Sequence, residues 1–209
     1  MKKLYLVLIA TLIIYNPAFA QSITQGINVI NPNARFGAYN VTENDKATNT
    51  VSHGKLNDLN YVLEYDRGID DDFTVGGLFR YNAFLLGKDT AQDQINLGYG
   101  FDFCLVTAYH FIKTEHVDVY LAATMGFSYL KLINSNLNYQ AIFTAGGVAY
   151  NLEFGARFYV SAHVGVTFSF GYSGYDYPNG TEVGIFGATD QFGFVFDGGT
   201  FGLGLCYKL

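Results

Sequence analysis

The sequence has no tryptophan, only three prolines and two cysteines, and charged residues make up 14% of it. Soluble domains carry roughly 25% charged residues, so this composition disfavours an ordinary water-exposed surface. The formal charge of −6 comes without any basic cluster, which argues against nucleic acid as a partner. Beyond the N-terminal leader, no apolar run reaches the roughly 18 residues of a transmembrane helix.

The leader, residues 1–20, is predicted to be a cleaved secretory signal peptide. Lys2 and Lys3 form a positive n-region, and an apolar h-region follows from Leu4 to Tyr15. Ala-Phe-Ala at 18–20 supplies the small–x–small cleavage pattern. The next residue is Gln21 rather than cysteine, so lipoprotein anchoring is not indicated. Residues 21–209 are expected to form one domain, whose charge becomes −8 because both lysines leave with the leader.

What the sequence does contain is apolar residues at 50%, with 24 glycines, 19 phenylalanines and 17 tyrosines spread along the chain. The clearest pattern is at 94–112, where every second residue except Thr107 is large and apolar and the alternate residues are mostly small or polar. Period-two alternation indicates a strand whose two faces meet different media. At this length, with glycines and an aspartate on one face, it is typical of a membrane barrel wall. The apolar face is Ile95, Leu97, Tyr99, Phe101, Phe103, Leu105, Tyr109 and Phe111.

Seven further segments bring the predicted strand count to eight, and Pro32 is expected to mark an edge or break before the first of them. Turns at 67–72, 113–116 and 161–163 are short, whereas longer loops are predicted at 43–55, 87–93, 134–146 and 175–200. Short periplasmic turns that alternate with long outer loops are typical of outer-membrane barrels. The predicted fold is all-β: an eight-stranded antiparallel transmembrane up-and-down β-barrel with both termini periplasmic. The predicted strands are 35–41, 57–65, 73–86, 94–112, 117–129, 148–160, 164–173 and 201–209.

The faces opposite the apolar ones are predicted to fill the interior with charged residues that pair with one another. An eight-stranded barrel is only wide enough for side chains, and isolated buried charges are costly. Arg80 is expected to reach Asp58 or Asp102, and Arg157 and Glu153 to find separate partners across the lumen. A structural polar core is favoured over a proton or ion path. The predicted inward charges are Asp58, Glu64, Asp66, Asp102, Asp118 and Glu153 against Arg80, Arg157 and Lys208, with His110 as a further cation.

Two expectations about single residues follow from these faces. Cys104 and Cys206 are predicted to lie unpaired on opposite walls. Phe103→Arg should destabilise the barrel by roughly 2–4 kcal/mol if its face meets the bilayer midplane. Asp102→Asn is expected to be milder, because it removes one interior pair.

No catalytic, cofactor or metal site is predicted, and no cofactor is expected. Three consecutive aspartates at 70–72 are explained by turn chemistry. The Gly-x-Gly pairs at 98/100 and 202/204 lie inside predicted strands and indicate close packing rather than a phosphate loop. The four histidines, His53, His110, His116 and His163, show no spacing that indicates a hydrolase or metal site.

Two strand–turn–strand segments carry a family resemblance. Residues 63–78, LEYDRGIDDDFTVGGL, and 154–166, FGARFYVSAHVGV, resemble units of the OmpA/OmpX-like outer-membrane barrel domain family. The resemblance implies a structural barrel, an adhesin or a surface receptor in the bacterial outer membrane. The chain ends in Leu209, where the family usually ends in phenylalanine for recognition by the assembly machinery.

The leading hypothesis is therefore a monomeric, non-enzymatic outer-membrane barrel whose loops contact the environment. Its expected partners are outer-membrane lipid or lipopolysaccharide, and the assembly machinery through the C-terminal strand. The alternatives are a narrow porin-like channel and a lipid-modifying barrel enzyme. A soluble ligand-binding barrel of the lipocalin or avidin kind is disfavoured by the absence of tryptophan and by the charged interior.

Overall fold

A computed structural model describes residues 23–86, 95–136, 139–184 and 189–209. They form eight antiparallel strands in one closed ring, in which each strand pairs with the next and β8 pairs with β1. The predicted all-β, eight-stranded up-and-down barrel is confirmed. The predicted signal peptide and the loop predicted at 87–93 lie outside the described residues. The strands are β1 Asn28–Asp45, β2 Thr50–Gly68, β3 Phe73–Leu86, β4 Ile95–Lys113, β5 Val117–Asn136, β6 Tyr139–Tyr159, β7 Val164–Gly184 and β8 Thr189–Lys208.

Strand pairing around the ring is staggered. Starting from Arg35 and following paired residues once around the barrel, the path returns to β1 at Asp45, ten residues further along (45 minus 35). Such a stagger tilts the strands by roughly 35–45° and leaves an interior that side chains can fill. The intermediate positions are Asn60, Asn82, Gly100, Leu130, Ala145, Gly180 and Phe192.

The start of β1 and the end of β8 lie at one end of the barrel, because Val29 pairs with Lys208. We call this the terminal end and the opposite one the distal end. At the terminal end Ile23 is fully buried against Val29, Tyr159 and Cys206, which point inward from three strands. The segment before β1 thus packs into the mouth of the barrel.

The first strand corrects the sequence prediction. It was expected at 35–41 after an edge or break at Pro32, but β1 runs through the proline. Pro32 pairs with Leu63 of β2, whereas pairing with β8 is interrupted between Ile30 and Asn33. Because proline lacks only its own N–H, the ladder is lost on one side alone and the strand continues.

The prediction of long distal loops at 43–55, 134–146 and 175–200 is also wrong. Most of these residues extend the strands, so that β1 and β2 are joined by residues 46–49 alone. In the second and third of these segments the inner face is itself apolar, with Phe143 and Phe196 buried inside the barrel. The contrast between a polar inner face and an apolar outer face is therefore lost there, while the backbone ladder persists. The Pro-Asn-Gly sequence at 178–180, which is typical of a turn, lies at a β-bulge inside β7, where the register with β8 shifts between Tyr177 and Gly180.

The polarity of the walls is confirmed on all the strands for which it was predicted. On β4, Phe103 is 61% exposed on the outer face, whereas Asp102 beside it is 0% exposed inside. Tyr61, Tyr81 and Phe101 form a row of paired outward positions on β2, β3 and β4. Outward aromatic rows that flank an apolar band are typical of membrane barrels. Among the described residues, no helix is long and apolar enough to span a bilayer.

Candidate functional site in the barrel interior

The half of the interior nearer the terminal end, which we call the lower interior, is organised around Arg157 of β6. Arg157 is fully buried. Its Nη2 donates to Asp66 Oδ2 at 2.6 Å and to Glu64 Oε1 at 3.4 Å across the lumen on β2. Its Nη1 donates to Asp118 Oδ2 at 3.4 Å, on the strand paired with β6. The guanidinium also lies 4.5 Å from the ring centre of Tyr120. The expectation that Arg157 finds partners other than Glu153 is confirmed.

Glu153 is paired with Arg35, an interior cation that the sequence analysis missed. Arg35 Nη1 lies 2.7 Å from Glu153 Oε2, and Arg35 Nη2 lies 3.3 Å from Glu64 Oε2. All three side chains are buried. Arg35 therefore joins β1 to β2 and, across the lumen, to β6. It was overlooked because the supposed break at Pro32 left the phase of β1 undefined. The alternation of Arg35, Gly37 and Tyr39 with Phe36 and Ala38 could have set that phase.

Arg80 of β3 lies at mid-height in the barrel interior, on the distal side of Arg157. Its Nε donates to Asp102 Oδ2 at 2.5 Å, and the two residues are directly paired on neighbouring strands. Asn82 Nδ2 and Ser128 Oγ also donate to Asp102, at 2.9 and 2.5 Å. The Arg80 guanidinium lies 5.1 Å from the ring centre of Tyr175. Of the two predicted partners of Arg80, Asp102 is confirmed.

Asp58, the other predicted partner, is buried but neither of its carboxylate oxygens has a hydrogen-bond partner among the described residues. The side-chain amides of Asn31 and Asn60 share this property. Unsatisfied buried polar atoms are costly, so this part of the interior is the least completely satisfied. All three residues lie on β1 and β2.

At the terminal end, Thr74, His110 and Asp118 form a continuous hydrogen-bonded row. Thr74 Oγ1 lies 3.1 Å from His110 Nε2, and His110 Nδ1 lies 2.7 Å from Asp118 Oδ1. The order of groups is that of a nucleophile, base and orienting carboxylate. However, all three side chains are buried, so a substrate carbonyl has no approach to the Thr74 hydroxyl. The other histidines lie apart, with His53, His116 and His163 exposed.

The distal half of the interior is aromatic, which the sequence analysis did not predict. Phe196 of β8 lies edge-on to Phe84, Tyr175 and Tyr177, with ring centres 5.8, 6.1 and 5.6 Å apart. Tyr39 packs edge-on to Tyr175 at 5.7 Å. We call these five residues the aromatic layer. Further out, Phe143 packs edge-on to Phe194 at 4.8 Å. The phenylalanines at 192, 194 and 196 belong to β8 and line the interior.

The remaining predicted interior groups are placed as follows. Lys208 is half-buried at the terminal end, where its Nζ lies 4.8 Å from the ring centre of Tyr159. Cys104 and Cys206 are buried and unpaired, as predicted. Within the described ranges, no cluster of three histidine, cysteine or acidic side chains has the arrangement of a metal site.

No family model and no curated protein sequence matches the chain. Solved structures do match. The outer membrane protein OprG from Pseudomonas aeruginosa aligns with 89% of this chain and 97% of its own, at 13% identity and a TM-score of 0.59. The outer membrane protease OmpT from Escherichia coli aligns over 92% and 99%, at 9% identity and a TM-score of 0.50. The attachment invasion locus protein Ail of Yersinia pestis aligns over 89% and 100%, at 15% identity and a TM-score of 0.49.

These identities are low, so the likeness concerns the fold. The fold is that of bacterial outer-membrane barrels, in agreement with the OmpA/OmpX-like resemblance of the sequence.

Proposed function

We propose that the protein is a non-enzymatic outer-membrane β-barrel with a closed interior, and that its role is structural or surface contact through its distal hairpins. The observation that carries the proposal is that buried side chains fill the interior at successive levels. Arg157 and Arg80 span the lower and middle lumen, and the aromatic layer fills the part above them. An interior packed in this way leaves no continuous aqueous path.

The proposal of a non-enzymatic barrel is supported by the row formed by Thr74, His110 and Asp118. These residues are buried at the terminal end, and Asp118 is also bound to Arg157. Groups held in this way stabilise one another, and the Thr74 hydroxyl has no free side from which a substrate could approach. We infer that the row is part of the structural network.

A contact role is supported by the length of the strands. Seven of them have 18–21 residues and β3 has 14, whereas a bilayer needs roughly 9–11. The excess lies beyond the apolar band, where residues Thr50–Lys55 of β2 are exposed. The turn before them is ordered by Asp45, whose carboxylate accepts from the Thr48 hydroxyl at 2.6 Å. That hydrogen bond lowers the pKa of Asp45, so its carboxylate stays charged in the turn.

For partners, we propose outer-membrane lipid and lipopolysaccharide around the apolar band, and the assembly machinery at β8. We propose a monomer because the ring is closed: β8 pairs with both β7 and β1, so no free strand edge remains among the described residues. We further propose that the terminal end is periplasmic and that the distal hairpins face outward.

Orientation can be tested with two single cysteine variants on intact cells. Thr48→Cys lies in the distal β1–β2 connection, and His116→Cys lies in the β4–β5 turn at the terminal end. Both native cysteines are buried and should stay silent. A membrane-impermeant maleimide should label the first variant and spare the second until the cells are permeabilised. The opposite pattern would invert the proposed orientation.

The closed interior is tested by recording from the purified protein in a planar bilayer, where we expect no conductance steps. The alternative of a narrow channel is favoured by one observation, namely the unsatisfied amides and carboxylate of Asn31, Asn60 and Asp58, which water could solvate. Reproducible ohmic steps that vanish after boiling the same preparation would support that channel. They would refute the closed barrel.

A further inference from the structure

The outer wall carries an open groove of about 630 Å³ across β2, β3, β4 and β5, with Ile30 of β1 at its edge. Leu63, Tyr65, Phe79, Phe103, Leu105 and Met125 provide its side walls. Its floor includes Gly77, which pairs with Tyr65 on one side and with Leu105 on the other. The groove has the volume of a small-molecule site, roughly 300–1,000 Å³.

The groove exists because Gly77 has no side chain. Leu105 and Met125, which follow it in the same row of paired residues, are 74% and 65% exposed, whereas Phe79 above them is 38% exposed. A Cβ atom at Gly77 would approach only the Cys104 carbonyl oxygen, at 3.9 Å. The adjacent Gly76 is different, because a Cβ there would lie 1.9 Å from the Tyr65 carbonyl oxygen. Packing of the barrel thus requires glycine at 76 but leaves 77 free for a larger residue.

A cation lies on the terminal side of the groove, beyond its lining residues. Arg67 is exposed on the same face of β2, two residues beyond Tyr65, and therefore roughly 7 Å further along the strand. It pairs with Val75 of β3, two residues before Gly77. Arg67 forms no salt bridge within the described part of the chain. The turn beyond Arg67 carries three aspartates at 70–72, and Asp70 and Asp71 are exposed.

From this arrangement we infer that the groove binds one glycerophospholipid of the leaflet at the terminal end, with an acyl chain over Gly77 and the phosphate at Arg67. The apolar walls suit a hydrocarbon chain, and a guanidinium recognises a phosphate by charge-assisted hydrogen bonds. Because exposed aspartates follow in the turn at 70–71, three and four residues after Arg67, a zwitterionic headgroup with an ammonium fits better than an anionic one. The inference rests on the proposed membrane location.

The test uses phosphatidylethanolamine with a photoactivatable group in its acyl chain, in vesicles of phosphatidylethanolamine and phosphatidylglycerol. After illumination, we expect labelling to concentrate on β2–β5 at the groove residues. Gly77→Leu should fill the groove and thereby abolish the excess of labelling on β2–β5 over the other strands. Gly199→Leu is the matched control, because Gly199 is also exposed and a Cβ there meets no atom within 4 Å. Its labelling pattern should be that of the unmodified protein.

The headgroup is tested by Arg67→Gln, which should reduce the excess on β2–β5, and by Arg67→Lys, which should retain most of it. Equal labelling around all strands, or an unchanged pattern in Gly77→Leu, would overturn the inference. A dimer that disappears in Gly77→Leu would also overturn it, by assigning the groove to a second copy. Heat-dependent gel migration of each variant in the same vesicles separates the two proposals. If the unmodified protein shows no heat-dependent shift of its band, the membrane barrel is refuted. If the shift is present but labelling is uniform around the strands, only the lipid site is refuted.

Discussion

Replacing Asp102 by asparagine should destabilise the barrel by about 3–5 kcal/mol, the cost of leaving a buried charge without its partner. The substitution preserves shape but removes the anion that neutralises Arg80, at a distance of 2.5 Å. Arg80 is 1% exposed, so its guanidinium cannot turn to water. Asn82 and Ser128, which also donate to Asp102, would lose a charged acceptor. The sequence analysis expected this change to be milder than Phe103→Arg, and the observed contacts predict that the two costs are comparable.

Equilibrium unfolding in urea, with the protein in phospholipid vesicles, measures this cost. Far-ultraviolet circular dichroism is the suitable probe because the chain has no tryptophan. Adding Arg80→Met to the Asp102→Asn variant should recover part of the loss, since the unpaired charge is then removed as well. If Asp102→Asn stays within about 0.5 kcal/mol of the unmodified protein, as neutral surface changes do, Arg80 is not held by this pair and the argument fails.

Three further outcomes follow from the same structure. Phe103→Arg should cost about 2–4 kcal/mol in vesicles while Phe103→Leu costs much less, and equal costs would place that face away from the bilayer. Arg35→Met should cost about 3–5 kcal/mol because it leaves the buried Glu153 without its cation and Glu64 with Arg157 alone. The exposed Lys55→Met should change stability by no more than about 0.5 kcal/mol. Phe196→Ala should cost about 3–5 kcal/mol of stability. The variant should still give a silent planar bilayer, because Arg157 and Arg80 continue to fill the interior. Conductance in this variant would show that the aromatic layer is the only barrier.

The membrane-spanning walls could be predicted from sequence because the bilayer imposes a sharp contrast between the two faces of each strand. For β3 the predicted bounds, 73–86, are those observed, and for β4 they differ by one residue. In the distal halves of β5 to β8 the inner face is also apolar, so that contrast disappears and these segments resembled loops. Backbone pairing continues there because it depends on hydrogen bonds that leave no trace in residue pattern.

The interior was predicted in its composition but only partly in its contacts. The pairing of Arg80 with Asp102 followed from their positions on neighbouring strands. Contacts across the lumen, such as Arg35 with Glu153, depend on the stagger of the whole ring, which no local pattern contains. The aromatic layer was missed for a related reason: Tyr175, Tyr177 and Phe196 lie in segments that were expected to be loops.

The central claim, a folded barrel in the outer membrane, is tested most directly by gel migration of the protein from fractionated membranes, with and without boiling. We expect enrichment in the outer-membrane fraction and a band that shifts after boiling, because a closed β-barrel keeps its ladder in detergent until it is heated. A protein that is recovered in the soluble fraction and migrates identically before and after boiling would contradict the account.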